Sequence, residues 1–156
     1  MSKALVASQY AQSSQLRKLG RAISEAQRKT QLQGLSGSAL SFVLSTLFEA
    51  TDRPFLLVFT NKEEAAYHLN DLENLLGEEQ VLFYPGSYRR PYQIEETDNA
   101  NVLLRSEVLN RINSRKKPAV IVTYSAALFE KVVTRKELER NTLKIAVGEE
   151  LSIDFV

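Results

Sequence analysis

Hydrophobic and polar residues follow one another along the chain in two patterns, one typical of helices and one typical of buried strands. Apolar residues at helical spacing predict helices over residues 5–29, 39–50, 61–76, 101–113 and 125–132, with one further turn at 135–140. Short apolar runs predict strands over residues 31–35, 55–59, 80–84, 119–123 and 143–147. Gly77 ends one predicted helix, and Pro85-Gly86 ends one predicted strand.

This order of elements predicts an α/β domain. Strands that alternate with helices form parallel sheets with right-handed crossovers. The segment Phe55–Phe59 is apolar on both faces, as expected for a strand that helices cover on both sides. We therefore expect a three-layer α/β sandwich with a mostly parallel sheet. We expect an N-terminal helix over residues 1–30, the main subdomain over 31–147, and the start of a following subdomain over 148–156 in a fragment of a longer protein.

Composition and charge exclude several kinds of site. The 20 Lys and Arg residues against 19 Asp and Glu residues leave a net charge of +1, which argues against nucleic-acid binding driven by bulk charge. The chain has no cysteine, so thiolate catalysis and Cys-ligated metals are excluded. We predict that its one histidine, His68, is a surface or boundary residue rather than a catalyst. No apolar run reaches the about 20 residues that span a bilayer, and no signal peptide is evident, which predicts a cytoplasmic protein.

The first candidate site is the glycine-containing loop at 34–41. Its residues are Gly34-Leu35-Ser36-Gly37-Ser38-Ala39-Leu40-Ser41. A nucleotide-binding phosphate loop has the pattern G-x-x-x-x-G-K-[ST], in which backbone N–H groups and the Lys hold phosphates and the hydroxyl holds Mg²⁺. This chain keeps Gly34 and Ser41, but Ala39 replaces the second glycine and Leu40 replaces the lysine. The pattern predicts a degenerate nucleotide loop; the alternative is a simple glycine turn into a buried helix.

A second requirement of phosphoryl-transfer ATPases is an Asp at the end of an apolar strand. The predicted strands end at 60–61, 84–85, 123–124 and 146–148, and none of them ends in a carboxylate. Because both requirements fail, we predict that this chain does not hydrolyse ATP. We also predict that it holds no metal and contains no catalytic residue.

The second candidate site is an aromatic and basic loop at 84–92. Tyr88, Arg89, Arg90 and Tyr92 fall within it, and such residues stack on bases and contact phosphates in single-strand-binding proteins. The alternative is a proline-stiffened loop whose tyrosines pack on the edge of the domain. Both interpretations stay open.

The order of several short motifs carries a resemblance. The loop at 34–38 is followed by the strand at 54–59, a helix that ends in Leu-x-x-Leu-Leu-Gly, and Phe83-Tyr84-Pro85. Residues 104–110, the strand at 119–123 with Tyr124-Ser125-Ala126-Ala127-Leu128, and residues 143–151 follow in the same order. Together these motifs, which span residues 31–156, resemble the UvrB-like N-terminal module of bacterial transcription-repair coupling factors (Mfd).

The resemblance implies a partial, degenerate RecA-like fold of the P-loop NTPase class, related to UvrB. In UvrB the loop that matches 34–41 is intact, and a long DNA-clamping hairpin follows the strand that matches 81–84. Here Ala39 and Leu40 interrupt the loop, and only residues 85–98 separate that strand from the next helix. These two departures favour the coupling factor over UvrB itself.

We therefore predict a non-catalytic scaffold fragment of a transcription-coupled nucleotide excision repair factor, which links stalled RNA polymerase to UvrA recruitment. The resemblance implies UvrA, RNA polymerase and DNA as partners, mostly through parts outside this fragment. It also implies that ATP binds elsewhere in the full-length family protein, so we expect no cofactor here. Two alternatives stay open: a fragment of a UvrB-type or helicase ATPase, and a DNA-binding module that uses the loop at 84–92.

Overall fold

The computed structural model describes residues 3–25, 29–87, 98–114, 117–132 and 134–140. Within these residues the helices are α1 (Lys3–Gln12), α2 (Ser14–Ser24), α3 (Ala39–Thr51), α4 (Lys62–Leu76), α5 (Asn99–Ser114), α6 (Ser125–Leu128) and α7 (Arg135–Arg140). The strands are β1 (Phe55–Phe59), β2 (Val81–Tyr84) and β3 (Val120–Tyr124). None of the described helices has the length and apolar character needed to cross a membrane.

The three described strands form a parallel sheet in the order β1-β3-β2. Val120 at the start of β3 lies in register with Phe55 of β1 on one side and with Val81 of β2 on the other. The chain leaves β1, passes through α4 to β2, and returns through α5 to the central strand β3. The predicted α/β class with a parallel sheet is therefore confirmed.

Buried side chains lie on both faces of the sheet. On one face, α3 and α4 pack on all three strands through a cluster formed by Phe48, Phe59, Ala65, Leu72, Leu76, Val81, Val120 and Val122. On the other face, α5 and α6 pack through a cluster formed by Leu82, Tyr84, Val108, Ala119, Ile121 and Ala127. A third cluster joins α2 to α3 through Leu19, Val43 and Leu47. The described sheet thus has helices packed on both of its faces, and α2 packs on the outer side of α3.

The ends of α4 follow from local chemistry. The Asn61 side-chain oxygen accepts a hydrogen bond from the Glu64 backbone N–H at 2.8 Å, which caps the first turn. The Glu64 carboxylate in turn accepts from the Thr60 N–H at 3.2 Å. At the other end Gly77 has a φ of +94°, a conformation that side chains with a Cβ rarely adopt. The predicted glycine stop is therefore confirmed.

The first predicted helix is two helices, so the prediction of one helix over 5–29 is wrong. The backbone is extended at Ser13, and the Ser13 hydroxyl accepts a hydrogen bond from the Leu16 N–H at 3.4 Å, which makes Ser13 the N-cap of α2. Leu19 of α2 is buried against α3. The described N-terminal part of the chain packs on α3 through both short helices, since Tyr10 of α1 stacks on Phe42.

Other predictions need correction at the edges of the sheet. The predicted strand at 31–35 is not a strand, and its residues are exposed. The helix predicted over 125–132 ends at Leu128. β1 is not covered on both faces as predicted, because Leu56 and Val58 are 58% and 50% exposed. The strand predicted at 143–147 lies outside the described residues.

Candidate functional site

The loop that leads into α3 turns on two glycines. Gly34 has a φ of +78° and Gly37 a φ of +53°, in the left-handed region that glycine adopts without a steric cost. The Ala39 N–H donates to the Ser36 carbonyl oxygen at 3.2 Å, so the chain turns tightly just before the helix. The predicted glycine turn is therefore present, and it places the residues at 38–41 against α4.

Two hydroxyls at the start of α3 are bonded to two neighbouring side chains of α4. Ser41 Oγ and His68 Nδ1 form a hydrogen bond of 2.8 Å, and both side chains are buried. Ser38 Oγ and the Tyr67 hydroxyl form a second bond of 2.7 Å at the surface. The imidazole of His68 also stacks on the Phe59 ring of β1, with 4.7 Å between ring centroids. The two bonds fasten the start of α3 to the middle of α4.

The prediction that His68 lies at the surface or boundary is wrong, because only 6% of it is exposed. Helical spacing carried the signal: His68 lies three residues after the buried Ala65 and four before the buried Leu72, so it belongs to the face of α4 that packs on the sheet. A buried imidazole needs a hydrogen-bonding partner, and the Ser41 hydroxyl provides one. We assign the pair a structural role on this geometry.

The two residues that break the phosphate-loop pattern are also placed by packing. Leu40, at the position where a phosphate loop has lysine, packs against the apolar cluster between the sheet and α3 and α4. The side chain at this position therefore contacts the core. Ala39 begins α3 beside it. Ser41, at the position of the Mg²⁺-binding hydroxyl, is fully buried.

A cavity of about 450 Å³ lies beside this loop, between α1, α2, α3 and residues 31–35. The described residues that line it are uncharged: Gln9, Tyr10, Ser13, Gln15, Leu16, Leu19, Gln31, Leu32, Gln33, Leu35 and Val43. A triphosphate carries several negative charges, which bind tightly only where cations or charge-assisted donors meet them. The cavity offers an apolar floor and amide groups instead.

The carboxyl ends of the strands hold a polar cluster that sequence reasoning missed. Arg105 of α5 is buried, and its guanidinium lies 3.3 Å from the Glu130 carboxylate. It donates to the carbonyl oxygens of Pro85 at 2.8 Å and Ala127 at 3.3 Å. Its Cζ also lies 4.2 Å from the centre of the Tyr84 ring. The cluster joins the end of β2, the middle of α5 and residues 127–130. Its members are too far apart in sequence for any local pattern to indicate it.

The surroundings of Tyr84 in this cluster shift the pKa of its hydroxyl. Burial raises the pKa of the Tyr84 hydroxyl above its usual value; the Arg105 cation opposes this rise, and the Glu130 carboxylate adds to it. Tyr84 therefore stays protonated at neutral pH.

The same cluster holds the entrance of the aromatic and basic loop. The Ser87 N–H and hydroxyl both donate to the Glu130 carboxylate, at 2.7 and 2.6 Å. The Gly86 N–H donates to the Tyr124 hydroxyl at 2.9 Å. The Asp98 N–H donates to the Ser87 carbonyl oxygen at 2.8 Å, so the two residues that flank positions 88–97 are bonded to each other. Tyr88, Arg89, Arg90 and Tyr92 lie outside the described residues.

Metal binding has no candidate in the described ranges, where no three acidic or histidine side chains come together as ligands. Each described strand ends in uncharged residues, at Thr60, Pro85 and Ser125. Glu130 does approach this edge, but its carboxylate is taken up by Arg105 and Ser87. The carboxylate of Glu130 at the strand ends therefore holds Ser87 and Arg105 in place.

Two known proteins are similar to the chain in sequence. The transcription-repair-coupling factor of Bacillus subtilis is 31% identical over 102 residues, which cover 65% of this chain and 9% of that protein. The UvrABC system protein B of Thermotoga neapolitana is 25% identical over an alignment of 150 residues, which covers 88% of this chain and 22% of that protein. The chain thus spans less than a quarter of the length of either relative.

No family model matches the chain, and no solved structure matches it significantly. The similarities nevertheless relate the chain at a distance to UvrB and to transcription-repair coupling factors. They agree with the UvrB-like resemblance in the motifs, and the parallel α/β sheet is consistent with a partial RecA-like fold. The chain is therefore related to DNA-repair proteins.

Proposed function

We propose that this chain is a non-catalytic, UvrB-like scaffold module of a transcription-repair coupling factor, with a degenerate nucleotide loop. The observation that carries the proposal is the buried hydrogen bond of 2.8 Å between Ser41 and His68. In this bond the hydroxyl that a phosphate loop would offer to Mg²⁺ is instead bonded to His68 inside the core. Leu40, which stands in place of the lysine, packs on the core beside it.

Phosphate binding at this loop fails for two separate physical reasons. A triphosphate needs a cation at the lysine position, and an apolar side chain there leaves its charge unpaired when the ligand loses water. Mg²⁺ needs an accessible hydroxyl, and freeing Ser41 leaves the His68 imidazole without its buried partner. The described residues around the cavity beside the loop add no compensating charge.

The module's task in this proposal is to position other parts of a longer protein. The distant coupling-factor and UvrB relatives are each more than four times the length that the chain spans. We propose that UvrA, RNA polymerase and DNA are engaged mostly by those other parts, and that ATP is bound and hydrolysed there. The described domain supplies a rigid parallel sheet with a closed, structural loop in place of a nucleotide site.

Calorimetric titration of the purified chain with ATP–Mg²⁺ tests the proposal. The unmodified chain should give no binding heat at millimolar nucleotide. The variant with Ala39→Gly and Leu40→Lys restores the consensus letters but removes about 2 kcal/mol of apolar burial from the core, so it should lose stability and still not bind. Leu103→Lys, at a side chain that is 72% exposed, adds the same charge and should leave stability unchanged.

Two results of this titration contradict the proposal. Binding by the unmodified chain would make the loop a working site. Nucleotide binding gained by the doubly substituted variant would favour the alternative of a UvrB-type ATPase fragment. In that case Ala39 and Leu40 alone would prevent the loop from binding nucleotide.

A second candidate function, nucleic-acid contact through the loop after Ser87, is supported by one observation. Ser87 and Asp98 are bonded to each other and Ser87 is bonded to Glu130, so the two residues that flank positions 88–97 are held together at one place on the domain. This function predicts DNA binding that weakens steeply with salt and is lost with Arg89→Ala plus Arg90→Ala. Fluorescence anisotropy with a labelled oligonucleotide at two salt concentrations measures this binding. If no binding is detected at low salt, the loop does not have this function.

A further inference from the structure

A groove of about 590 Å³ lies between α2 and α3. On the α2 side its described lining runs from Leu16 to Ser24, which spans about 12 Å, or just over two turns of helix. On the α3 side it runs from Thr46 to Thr51 and includes the buried Leu47. The groove is therefore long enough for two turns of a further helix laid along it.

The hydroxyl groups that line the groove are already bonded within their own helices. Each of them donates a hydrogen bond of 2.7–2.9 Å to the carbonyl oxygen four residues earlier; the residues are Ser24, Thr46 and Thr51. A hydroxyl has one proton to donate, so none of these three can donate to a ligand without giving up its bond. Recognition of a polar ligand therefore depends on the charged side chains of the groove.

The two walls of the groove carry opposite charges. Arg17 and Arg21 lie on the α2 wall, and Glu49 lies on the α3 wall. All three residues are exposed, and within the described part of the chain their side chains form no hydrogen bond or ion pair. Residues four apart lie on the same side of a helix, so the two guanidinium groups line the groove together.

Gly20 keeps the centre of the groove open. A Cβ added at this position would lie 3.7 Å from Leu47 Cδ2, an ordinary contact distance, so an alanine would fit. Glycine inside a helix lowers its stability relative to alanine. The packing of α2 on α3 therefore does not require glycine here, and a side chain much larger than alanine would fill the groove.

We propose that this groove binds an amphipathic, acidic helix of a separate protein. Apolar side chains of that helix pack over Gly20, and two carboxylates one turn apart bind Arg17 and Arg21. Amphipathic helices dock in grooves through anchors at helical spacing, and guanidinium groups bind carboxylates through paired hydrogen bonds. Charges around a groove steer the encounter of separate proteins, whereas a segment of the same chain needs no steering. The groove does not include the loop at 34–41, so this binding is independent of nucleotide binding there.

Nucleic acid fits this groove poorly. Phosphates that approach Arg17 and Arg21 also approach the carboxylate of Glu49 on the opposite wall, and like charges repel each other. A sugar–phosphate backbone also has no apolar surface to pack over Gly20 and Leu47. A protein helix meets both conditions, because it can carry a basic residue opposite Glu49 and apolar residues between its two charged flanks.

A peptide titration of the full, isotope-labelled 156-residue chain, followed by NMR, tests the proposal. The probe is a synthetic helical peptide of about four turns, with leucines at helical spacing on one face and two glutamates four residues apart on one flank. It should shift the amide signals of Gly20 and Ala50, which line the groove, with saturation. A peptide with glutamine in place of both glutamates should bind at least tenfold more weakly.

Exchange of charges between chain and peptide identifies the groups in contact. Arg17→Glu plus Arg21→Glu should weaken binding of the glutamate peptide at least tenfold, and a peptide with lysines at the glutamate positions should bind this variant instead. Lys18→Glu plus Lys62→Glu change the net charge equally at exposed residues outside the groove lining and should leave the affinity within about threefold. Gly20→Leu should fill the groove and abolish binding while circular dichroism stays unchanged.

Several results would overturn the proposal. Absence of shifts at Gly20 and Ala50 with millimolar peptide shows that the groove does not accept a helix, and equal affinity for the glutamate and glutamine peptides shows that charge does not select the ligand. Shifts of these signals that grow with protein concentration, with a dimer by light scattering, identify a second copy as the occupant. Shifts caused by deletion of residues 141–156 identify this chain's own segment. Displacement of the peptide by duplex DNA identifies a nucleic-acid surface.

Discussion

Removal of the Ser41 hydroxyl should destabilise the chain, because it leaves the His68 imidazole buried without a partner. His68 is 6% exposed, so water does not readily replace the bond of 2.8 Å that joins it to Ser41. A buried polar atom without a hydrogen bond costs about 1–3 kcal/mol. Ser41→Ala should therefore lower the free energy of unfolding by about 2 kcal/mol, or roughly 4–8 °C in melting temperature for a chain of this size.

Urea denaturation followed by circular dichroism measures this loss, and Ser45→Ala is the matched control. Ser45 is buried in the same helix, but its hydroxyl donates to the Phe42 carbonyl oxygen of that helix at 3.1 Å. Removal of this hydroxyl leaves no side chain without a hydrogen-bonding partner, so it should change the free energy of unfolding by about 0.5 kcal/mol or less. The double variant Ser41→Ala with His68→Phe keeps a ring against Phe59 and removes both polar groups, so it should recover most of the loss.

The double-mutant cycle decides whether the two side chains act together. A coupling free energy of about 1 kcal/mol or more is expected for two residues joined by a buried hydrogen bond. The Ser41–His68 bond has no such stabilising role if Ser41→Ala costs no more than Ser45→Ala, or if the coupling free energy between Ser41 and His68 is close to zero.

Three further predictions concern the loop anchor and the cap of α4. Arg105→Ala should lower the free energy of unfolding by about 3 kcal/mol in urea denaturation, because Glu130 keeps its bonds from Ser87 but loses its cation while it stays largely buried. A loss below about 1 kcal/mol contradicts this. The raised pKa of Tyr84 stabilises the fold fully below about pH 10, and this contribution is lost as pH rises through the folded-state pKa. Tyr84→Phe should therefore reduce the loss of unfolding free energy between about pH 9 and 11. Equal slopes of unfolding free energy against pH in the unmodified chain and the variant argue against this. Asn61→Ala should cost about 1 kcal/mol in thermal unfolding, whereas Asn61→Asp should cost little; equal losses would show that the cap of Glu64 is unimportant.

Elements with a strong local pattern were predictable from the sequence. The apolar run of β1 and the helical spacing in α4 predict their elements, and Asn61 and Gly77 mark the ends of α4. The predicted strand at 31–35 failed because a strand exists only where another strand pairs with it, and a five-residue pattern contains no information on its partner. The break at Ser13 shows the same limit, since one serine can cap a new helix or lie inside a long one.

The candidate site was predictable only in part. The sequence indicates that Ala39 and Leu40 interrupt a phosphate loop, but not that Leu40 packs on the core. The Ser41–His68 bond joins residues 27 positions apart, and the ion pair of Arg105 with Glu130 also joins distant positions. Such contacts are set by the way α3, α4, α5 and α6 pack on the sheet, which no short stretch of sequence specifies. The role of His68 therefore became clear only from the packed structure.

The most direct test of the structural role of the 34–41 loop is a crystal structure of the chain soaked with ATP–Mg²⁺. We predict electron density for the Ser41–His68 hydrogen bond as described, Leu40 in the core, and no nucleotide at the loop. Density for a triphosphate against Gly37 and Ser41, with the Ser41 hydroxyl turned away from His68 toward a metal ion, would contradict it.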